Sequence, residues 1–113
     1  MRGFEGGDIV RVPFPYTDRT TTAFRPALIS SRQALGDSGG LLWVLMITSA
    51  ENRGWPGDVP INDHLSAGLP MPSIVRTAKI ATIEASRATP IGRLAPSTWD
   101  EVLRHIMANV GLV

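Results

Sequence analysis

The feature that most constrains the fold is a pair of apolar segments near the start of the chain, joined by a polar loop. The first, GDIVRVPFPYTD, spans residues 7–18, and the second, FRPALISS, spans residues 24–31. Apolar side chains alternate along Asp8–Phe14, which is typical of a strand that buries one face. The two segments therefore predict a β-hairpin with a threonine-rich loop, and Arg25 lies where the chain re-enters the sheet. Loops over a rigid sheet commonly carry binding residues.

Two prolines limit how the first strand can pair. Pro13 and Pro15 have no backbone N–H and cannot donate to a neighbouring strand. Proline is therefore confined to edge strands or to strand ends. We expect this strand to lie at a sheet edge toward its far end and to give way to loop at Pro15.

The rest of the chain alternates short apolar segments with turns before its final, helical part. Strands are predicted at Pro26–Ser30, Leu41–Thr48, Val59–Ile61, Ser73–Thr77, Lys79–Ile83 and Thr89–Leu94, with a bend between the fourth and the fifth. The long apolar run Leu41–Thr48 is typical of a central strand covered on both faces. Glycine and proline mark turns at Gly36–Gly40 and Glu51–Asp58, and one helical turn fits near Asp63–Ala67.

The end of the chain changes to a helical period. After Pro96, with Ser97 as the expected N-cap, apolar residues recur with helical spacing. These residues are Trp99, Val102, Leu103, Ile106 and Val110. The predicted fold class is mainly β (α+β), a small and strongly bent antiparallel barrel-like sheet covered by one C-terminal helix.

Composition narrows the classes of function. The 113 residues suit a single domain, residues 1–113, and carry a net charge of +1 from 11 basic and 10 acidic side chains. All basic residues except Lys79 are arginines, which favours phosphate recognition, although high-GC coding would give the same bias. The chain has no cysteine, which excludes disulfides and thiolate metal sites. Without a signal peptide or a long apolar run, a cytoplasmic protein is expected.

Familiar catalytic motifs are absent. The chain has no P-loop, no GxSxG and no HExxH, and its only histidines are His64 and His105. No metal or other cofactor is expected from two scattered histidines. His105 is interpreted as a helix-surface residue. His64, in a loop, is either an exposed side chain or an acid–base group working near neutral pH.

Four polar residues lie at predicted strand ends. Arg25 begins the second strand, Thr48 and Ser49 end the central strand, and Arg76 lies within PSIVRTAKIATI. If these ends meet, two guanidiniums and two hydroxyls would surround a space about one phosphate wide. The alternative is that the arginines lie at solvated strand edges and that Thr48 merely favours β structure.

Several segments in order resemble one family. They are GDIVRVPFPYTD, FRPALISS, MITS, PSIVRTAKIATI and IGRLAPSTWDEV. Together they are similar to the MazF/PemK toxins of type II toxin–antitoxin systems. The resemblance implies a bent SH3-like barrel of the MazF/CcdB/Kid type with a C-terminal helix, and a homodimer. It also implies metal-independent cleavage of single-stranded RNA, chiefly mRNA, and neutralisation by a cognate antitoxin with an acidic tail.

The resemblance also implies roles for individual residues. The ribose 2′-hydroxyl would attack the adjacent phosphate, leaving a 2′,3′-cyclic phosphate and a 5′-hydroxyl. Arg25, in the Arg-Pro step, would stabilise the charge on phosphate or protonate the leaving oxygen. Thr48 would hydrogen-bond the scissile phosphate, and Arg76 would supply a second cation.

The general base departs from the family pattern. Ala78 stands where PemK-type members carry an aspartate, and Thr20 stands where other members carry a glutamate in the first loop. Asp18, the nearest carboxylate in that loop, is a candidate base or a turn-capping residue. Other side chains expected within reach are Tyr16, Glu51 and Asp58.

Candidate RNA-binding residues surround this site. They are Tyr16, Arg19, Thr20, Phe24, Ser49 and Trp55. The arginine would attract backbone phosphates and the aromatic rings would stack on unpaired bases, unless they serve only in packing. An acidic antitoxin segment would occupy the same surface.

Two other functions remain open at this point. A related fold poisons DNA gyrase through a Trp-Gly-Ile-like terminus, whereas this chain ends in Gly111, Leu112 and Val113, with no tryptophan after Trp99. A degenerate toxin that binds RNA or antitoxin without cleaving is the second alternative, and Ala78 keeps it open.

Overall fold

The computed structural model describes residues 3–15 and 22–112. Within them lie six strands, two short 3₁₀ turns and one helix. The strands are β1 (Asp8–Pro15), β2 (Thr22–Ile29), β3 (Leu41–Ser49), β4 (Asp58–Ile61), β5 (Ser73–Glu84) and β6 (Thr89–Arg93). The 3₁₀ turns are Ala50–Asn52 and Ala85–Arg87, and the helix α1 is Pro96–Asn109.

The strands form one antiparallel sheet in the order β4-β5-β3-β2-β1-β6. This confirms the predicted class, a mainly β antiparallel sheet with one C-terminal helix. The two strand segments predicted around a bend are one strand, β5. Its pairing with β3 jumps from Leu45↔Ile80 to Met46↔Arg76, so three residues of β5 have no partner in register. Such an irregularity bends a strand and increases its twist, which curls the sheet.

The outer half of β1 has an open edge, as its prolines predict. β1 pairs with β2 over Ile9–Pro15, but with β6 only over Asp8–Arg11. Pro13 and Pro15 therefore lie beyond the end of the β6 ladder, where a missing N–H costs no hydrogen bond.

The second strand starts earlier than predicted. β2 begins at Thr22 rather than Pro26, because residues 22–26 pair with β1 alone. β3 joins only at Ala27–Ile29. Pro26 lies just outside that second ladder, so it does not interrupt the strand.

Apolar side chains form two cores on opposite faces of the curled sheet. The helix-side core contains Ile9, Leu28, Leu45, Ile47, Val59, Ile61, Ala67, Leu69, Val75, Leu94 and Val102. The second core contains Val10, Val12, Ala27, Ile29, Leu42 and Val44. Consecutive residues such as Ile9 and Val10 are both fully buried, so the prediction that β1 buries one face only is wrong at its start.

The central strand β3 is less covered than its sequence predicts. It does lie between β5 and β2 in the sheet. However, the side chains of Leu41 and Trp43 are 41% and 49% exposed, and Ile80 on the neighbouring strand is 56% exposed. One face of the first half of β3 therefore carries an open apolar surface.

The C-terminal helix packs as predicted in its middle turns. Val102 is fully buried, and Trp99 and Ile106 pack against the helix-side core. The N-cap is Ala95 rather than Ser97, because Pro96 occupies the first helical position, where its missing N–H is not needed. Val110 lies at the end of the helix and is 64% exposed, so the predicted apolar stripe stops one turn earlier. None of the residues that the structure describes forms a helix long and apolar enough to cross a membrane.

A close backbone contact fixes the segment between β4 and β5. A Cβ added at Gly92 of β6 would overlap the carbonyl oxygen of Ala67, and one at Gly68 would lie 2.6 Å from the carbonyl oxygen of Ile91. Glycine is needed where two backbones approach this closely. The segment also contains the expected single turn, closed by Ala67 N–H to Asp63 O. This contact holds residues 67 and 68 against β6.

Candidate functional site

A groove of about 820 Å³ opens beside the outer half of the β1–β2 hairpin. It is lined by residues from β1, β2, β3, β5 and β6, the first 3₁₀ turn and the segment held by Gly92. These residues are Arg11, Phe24, Arg25, Pro26, Ile47, Thr48, Ser49, Asn52, Gly68, Leu69, Pro70, Met71, Ser73, Thr89 and Ile91. Ile47 and Leu69 belong to the helix-side core, so the groove is built on rigid packing.

Four residues singled out in the sequence meet in this groove. Phe24 and Arg25 lie on the part of β2 that pairs only with β1, and both are exposed, Phe24 by 66%. Thr48 and Ser49 end β3, and both are half-buried. An arginine, two hydroxyls and an aromatic ring therefore share one cleft, although they come from different strands.

The two hydroxyl groups make different local hydrogen bonds. The Ser49 Oγ accepts from the backbone N–H of Glu51 at 3.3 Å and so caps the first 3₁₀ turn. The Thr48 Oγ1 accepts from the Asn52 Nδ2 at 2.9 Å. Asn52, at the end of that turn, was not singled out in the sequence.

Arg76 does not line the groove, contrary to the expectation that it would stand beside Arg25. It is 7% exposed, and its Nε and Nη2 donate to the two carboxylate oxygens of Asp58 at 3.2 and 3.1 Å. Nη2 also donates to the carbonyl oxygen of Asn52 at 2.7 Å. The guanidinium carbon lies 4.2 Å from the centre of the Trp55 ring, so that predicted base-stacking ring already contacts a cation.

Asp58 also binds the backbone of the turn that carries Trp55. Its Oδ2 accepts from the backbone N–H groups of Gly54 and Trp55 at 3.2 and 3.1 Å. Burial by itself would raise the pKa of Asp58, but the hydrogen bonds from Arg76, Trp55 and Gly54 and the charge of Arg76 hold it below its ordinary value. An anionic, fully engaged carboxylate is a poor general base. The expectation that Asp58 reaches the groove is therefore wrong, because its side chain is 9% exposed and faces Arg76.

Arg11 brings a second guanidinium into the groove. It lies opposite Pro26 on β1 and its residue is exposed. The two-residue alternation of β1 places it on the face away from Val10 and Val12, and that is the only signal in the sequence that could have pointed to it. Among the described residues that line the groove, two carry a positive charge and none carries a carboxylate. The groove therefore favours an anionic ligand.

The first-loop candidates Tyr16, Asp18, Arg19 and Thr20 lie outside the described residues. His64 is not among the groove residues. Glu51 is exposed at the 3₁₀ turn and does not line the groove either. Over residues 3–15 and 22–112, no group of three or more His, Asp or Glu side chains is placed to hold a metal ion.

The fold is similar to several solved toxin structures. A chain from MazE–MazF of Deinococcus radiodurans matches with a TM-score of 0.78 and 22% identity, covering 99% of this chain and 100% of that one. An endoribonuclease in complex with its cognate antitoxin, from a mycobacterial species, matches with a TM-score of 0.73 and 18% identity, covering 100% and 98%. The toxin MazF-mt6 of Mycobacterium tuberculosis matches with a TM-score of 0.69 and 25% identity, covering 92% and 97%.

The family comparison is independent of these structures. No curated protein matches the chain. Residues 5–110 match the sequence profile of the PemK-like, MazF-like toxins of type II toxin–antitoxin systems. The match spans all five segments on which the resemblance in sequence was based. The chain therefore belongs to the PemK-like, MazF-like toxin family.

Proposed function

We propose that this toxin is a metal-independent endoribonuclease that cleaves single-stranded RNA, chiefly mRNA, at a preferred sequence. The observation that carries the proposal is the groove in which Arg25 and Thr48 meet, with a second arginine nearby and no carboxylate among its described lining. Such a cleft suits a phosphodiester, because guanidinium and hydroxyl groups are donors for phosphate oxygens.

The proposed reaction needs no group from outside the protein and RNA. The 2′-oxygen of the ribose attacks the adjacent phosphorus and gives up its proton to a base. The bond from phosphorus to the 5′-oxygen breaks, and that oxygen takes up a proton. The products are a 2′,3′-cyclic phosphate and a 5′-hydroxyl.

Arg25 and Thr48 would act on the charge that develops on the phosphate. Arg25 donates two hydrogen bonds to phosphate oxygens, or one of them to the leaving oxygen, and Thr48 donates its hydroxyl proton to a non-bridging oxygen. Donors already fixed at that point lower the barrier without reorganising during the reaction. Their placement on two strands of a packed sheet keeps this geometry rigid.

The proton acceptor would come from the first loop. The described lining of the groove offers neither a carboxylate nor a histidine to accept the proton. Asp18 is the proposed base, since it belongs to the loop that joins the two strands beside Arg25. Tyr16, Arg19 and Thr20 of the same loop would contribute to RNA binding.

Recognition of an unpaired strand would use the exposed side chains at the groove. Phe24 offers a ring for base stacking, and Arg11 and Ser49 offer donors for flanking phosphates. Trp55 is not among the residues that line the groove, and with one face on Arg76 it would stack a base beside the groove only on its other face. A single strand fits because its bases are free to turn toward the protein.

The partners proposed are those of the family. Since two of the similar structures contain antitoxins, we infer a cognate antitoxin with an acidic segment that covers the cationic groove. The protein would act as a homodimer in the cytoplasm, where its RNA substrate is found.

One experiment tests the activity. Purified protein, free of antitoxin, is incubated with a mixed-sequence single-stranded RNA in the presence of EDTA, and the ends of the products are mapped. Discrete cuts with cyclic-phosphate and 5′-hydroxyl ends are expected. Cleavage that requires a divalent ion, or ends with 5′-phosphate, would contradict the proposal.

A second candidate is a family member that binds RNA without cleaving it. The observation in its favour is the position of Ala78, together with the lack of a carboxylate in the described groove lining. The cleavage assay together with a filter-binding measurement separates the two, since a protein of this second kind would retain RNA on the filter and yield no cleavage product.

A further inference from the structure

Asn52 stands between the proposed phosphate-binding hydroxyl and the buried ion pair. Its side chain donates from Nδ2 to Thr48 Oγ1 at 2.9 Å. Its backbone carbonyl accepts from Arg76 Nη2 at 2.7 Å. One residue therefore joins the groove to the Arg76–Asp58 pair.

The direction of the Asn52–Thr48 hydrogen bond has a chemical consequence. A threonine hydroxyl has one proton to donate and two lone pairs with which to accept. Because Asn52 supplies the donor, one lone pair of Thr48 is engaged and its single proton remains for another partner. Thr48 lines the groove, so that proton is available to a phosphate oxygen there.

Asn52 is itself held in place by the buried Arg76. Arg76 contacts both Asp58 oxygens, the Asn52 carbonyl and the Trp55 ring. The last residue of a 3₁₀ turn would otherwise lose order easily, since such turns are short and have poor hydrogen-bond geometry. The hydrogen bond from the buried Arg76 to the Asn52 carbonyl therefore restrains the end of this turn.

We propose that Asn52 is a positioning residue that aims the Thr48 hydroxyl proton at the scissile phosphate, and that Arg76 acts through Asn52 rather than on the RNA. This inference rests on the proposed ribonuclease activity. It assigns to Arg76 a supporting place in the site instead of direct contact with substrate.

The test is a double-mutant cycle on RNA cleavage, with kcat and KM measured separately. Asn52→Ala is expected to lower kcat about fivefold, the effect of one neutral hydrogen bond, with KM changed less than about twofold. Thr48→Val is expected to lower kcat by about a hundredfold. In the Thr48→Val background, Asn52→Ala should have no further effect, because Asn52 then has no hydroxyl to orient. Asn109→Ala, at the exposed end of α1, is the matched control and should behave as wild type.

Asn52→Asp gives a signature that a merely structural role would not. A carboxylate only accepts hydrogen bonds, so Thr48 would turn its proton toward residue 52 and away from the phosphate. With Thr48 present, Asn52→Asp should therefore lower kcat more than Asn52→Ala does. In the Thr48→Val background, the difference between the two variants reports only the added charge, and it should be smaller.

The outcomes separate the inference from the proposed function. Independent losses from Thr48→Val and Asn52→Ala, or an effect of Asn52→Ala confined to KM, would overturn the positioning role while cleavage by wild type stands. A wild-type protein that makes no cyclic-phosphate ends would overturn the proposed function and this inference with it. Thermal unfolding of each variant shows whether a loss of kcat comes from loss of the fold.

Discussion

Asp58 and Arg76 stand directly opposite each other on β4 and β5, and their side chains form a two-point ion pair under the turn that carries Asn52. Both side chains are only 9% exposed. Removing one partner of a buried pair leaves the other charge without compensation. The pair forms only in this β4–β5 register, and it supports the turn that carries Asn52. The register therefore affects the shape of the groove.

We expect Asp58→Asn to lower the free energy of unfolding by about 3 kcal/mol, the low end for one partner of a buried pair, since Asn52 and Trp55 still contact Arg76. Urea unfolding at pH 7 measures the change. Asp37→Asn, at an exposed turn, is the control and should change it by less than about 0.5 kcal/mol. Equal losses in the two variants would show that the ion pair adds no stability.

The same carboxylate should make stability depend on acid pH. The pKa of Asp58 is lowered in the folded state by its hydrogen bonds, in spite of burial, which raises it. The unfolded chain then takes up the proton first, at about pH 4, so stability falls as the pH drops through the lowered pKa. The stability difference between wild type and Asp58→Asn should therefore shrink below about pH 4. Urea unfolding from pH 7 to pH 3 measures it, and a difference that stays constant would contradict the assignment.

Some of the architecture could be predicted because its causes are local. Pro13 and Pro15 have no backbone N–H to donate, and this effect does not depend on distant residues. The part of β1 that contains them has the open edge that they require. The helix around Val102 could be predicted from the helical spacing of apolar residues alone. The N-cap is Ala95, two residues before the predicted Ser97, because Pro96 fits the first helical position.

The candidate site was predicted less completely, because its contacts cross the sheet. Arg76 finds Asp58 18 residues earlier in the chain only through the β4–β5 register, which no short motif specifies. Arg25 and Thr48 could be singled out, but their meeting depends on the register of β2 against β3, which is set by the pairing of Ala27–Ile29. Asn52 belongs to no family motif. Its proposed role in positioning Thr48 depends on the 3₁₀ turn that ends four residues after Thr48.

Arg25→Ala should strongly reduce the rate of RNA cleavage while leaving the fold intact. The loss of rate is expected to be about a hundredfold or more, since a donor to the transition-state charge is removed. Arg25 is exposed, so the free energy of unfolding should change by less than about 0.5 kcal/mol. Arg104→Ala, an exposed position of α1, controls for loss of one positive charge. Equal cleavage by Arg25→Ala and wild type would refute the site assignment.

Gly92→Ala should change the shape of the groove without altering its charged side chains. The added methyl overlaps the Ala67 carbonyl, so the segment that forms the groove wall must move away from β6. Overpacking of this kind costs about 1–3 kcal/mol, and a displaced wall should weaken RNA binding. Gly3→Ala is the control, because nothing lies within 4 Å of its added Cβ. Thermal unfolding measures the loss of stability and filter binding measures the loss of RNA affinity. No change in either would show that the methyl group is tolerated and would contradict the prediction.

Arg11→Gln should separate binding of the RNA backbone from chemistry. Arg11 lines the groove on β1, and no ion pair joins it to another residue within the described ranges. If Arg11 neutralises a flanking phosphate, its loss should weaken binding uniformly across RNA sequences and lower the salt slope of binding by about 1. The maximal cleavage rate should stay near that of wild type, because the flanking phosphate does not react. Arg32→Gln, exposed and outside the groove, should leave the salt slope unchanged. A large fall in kcat for Arg11→Gln would instead place this arginine on the scissile phosphate, beside Arg25.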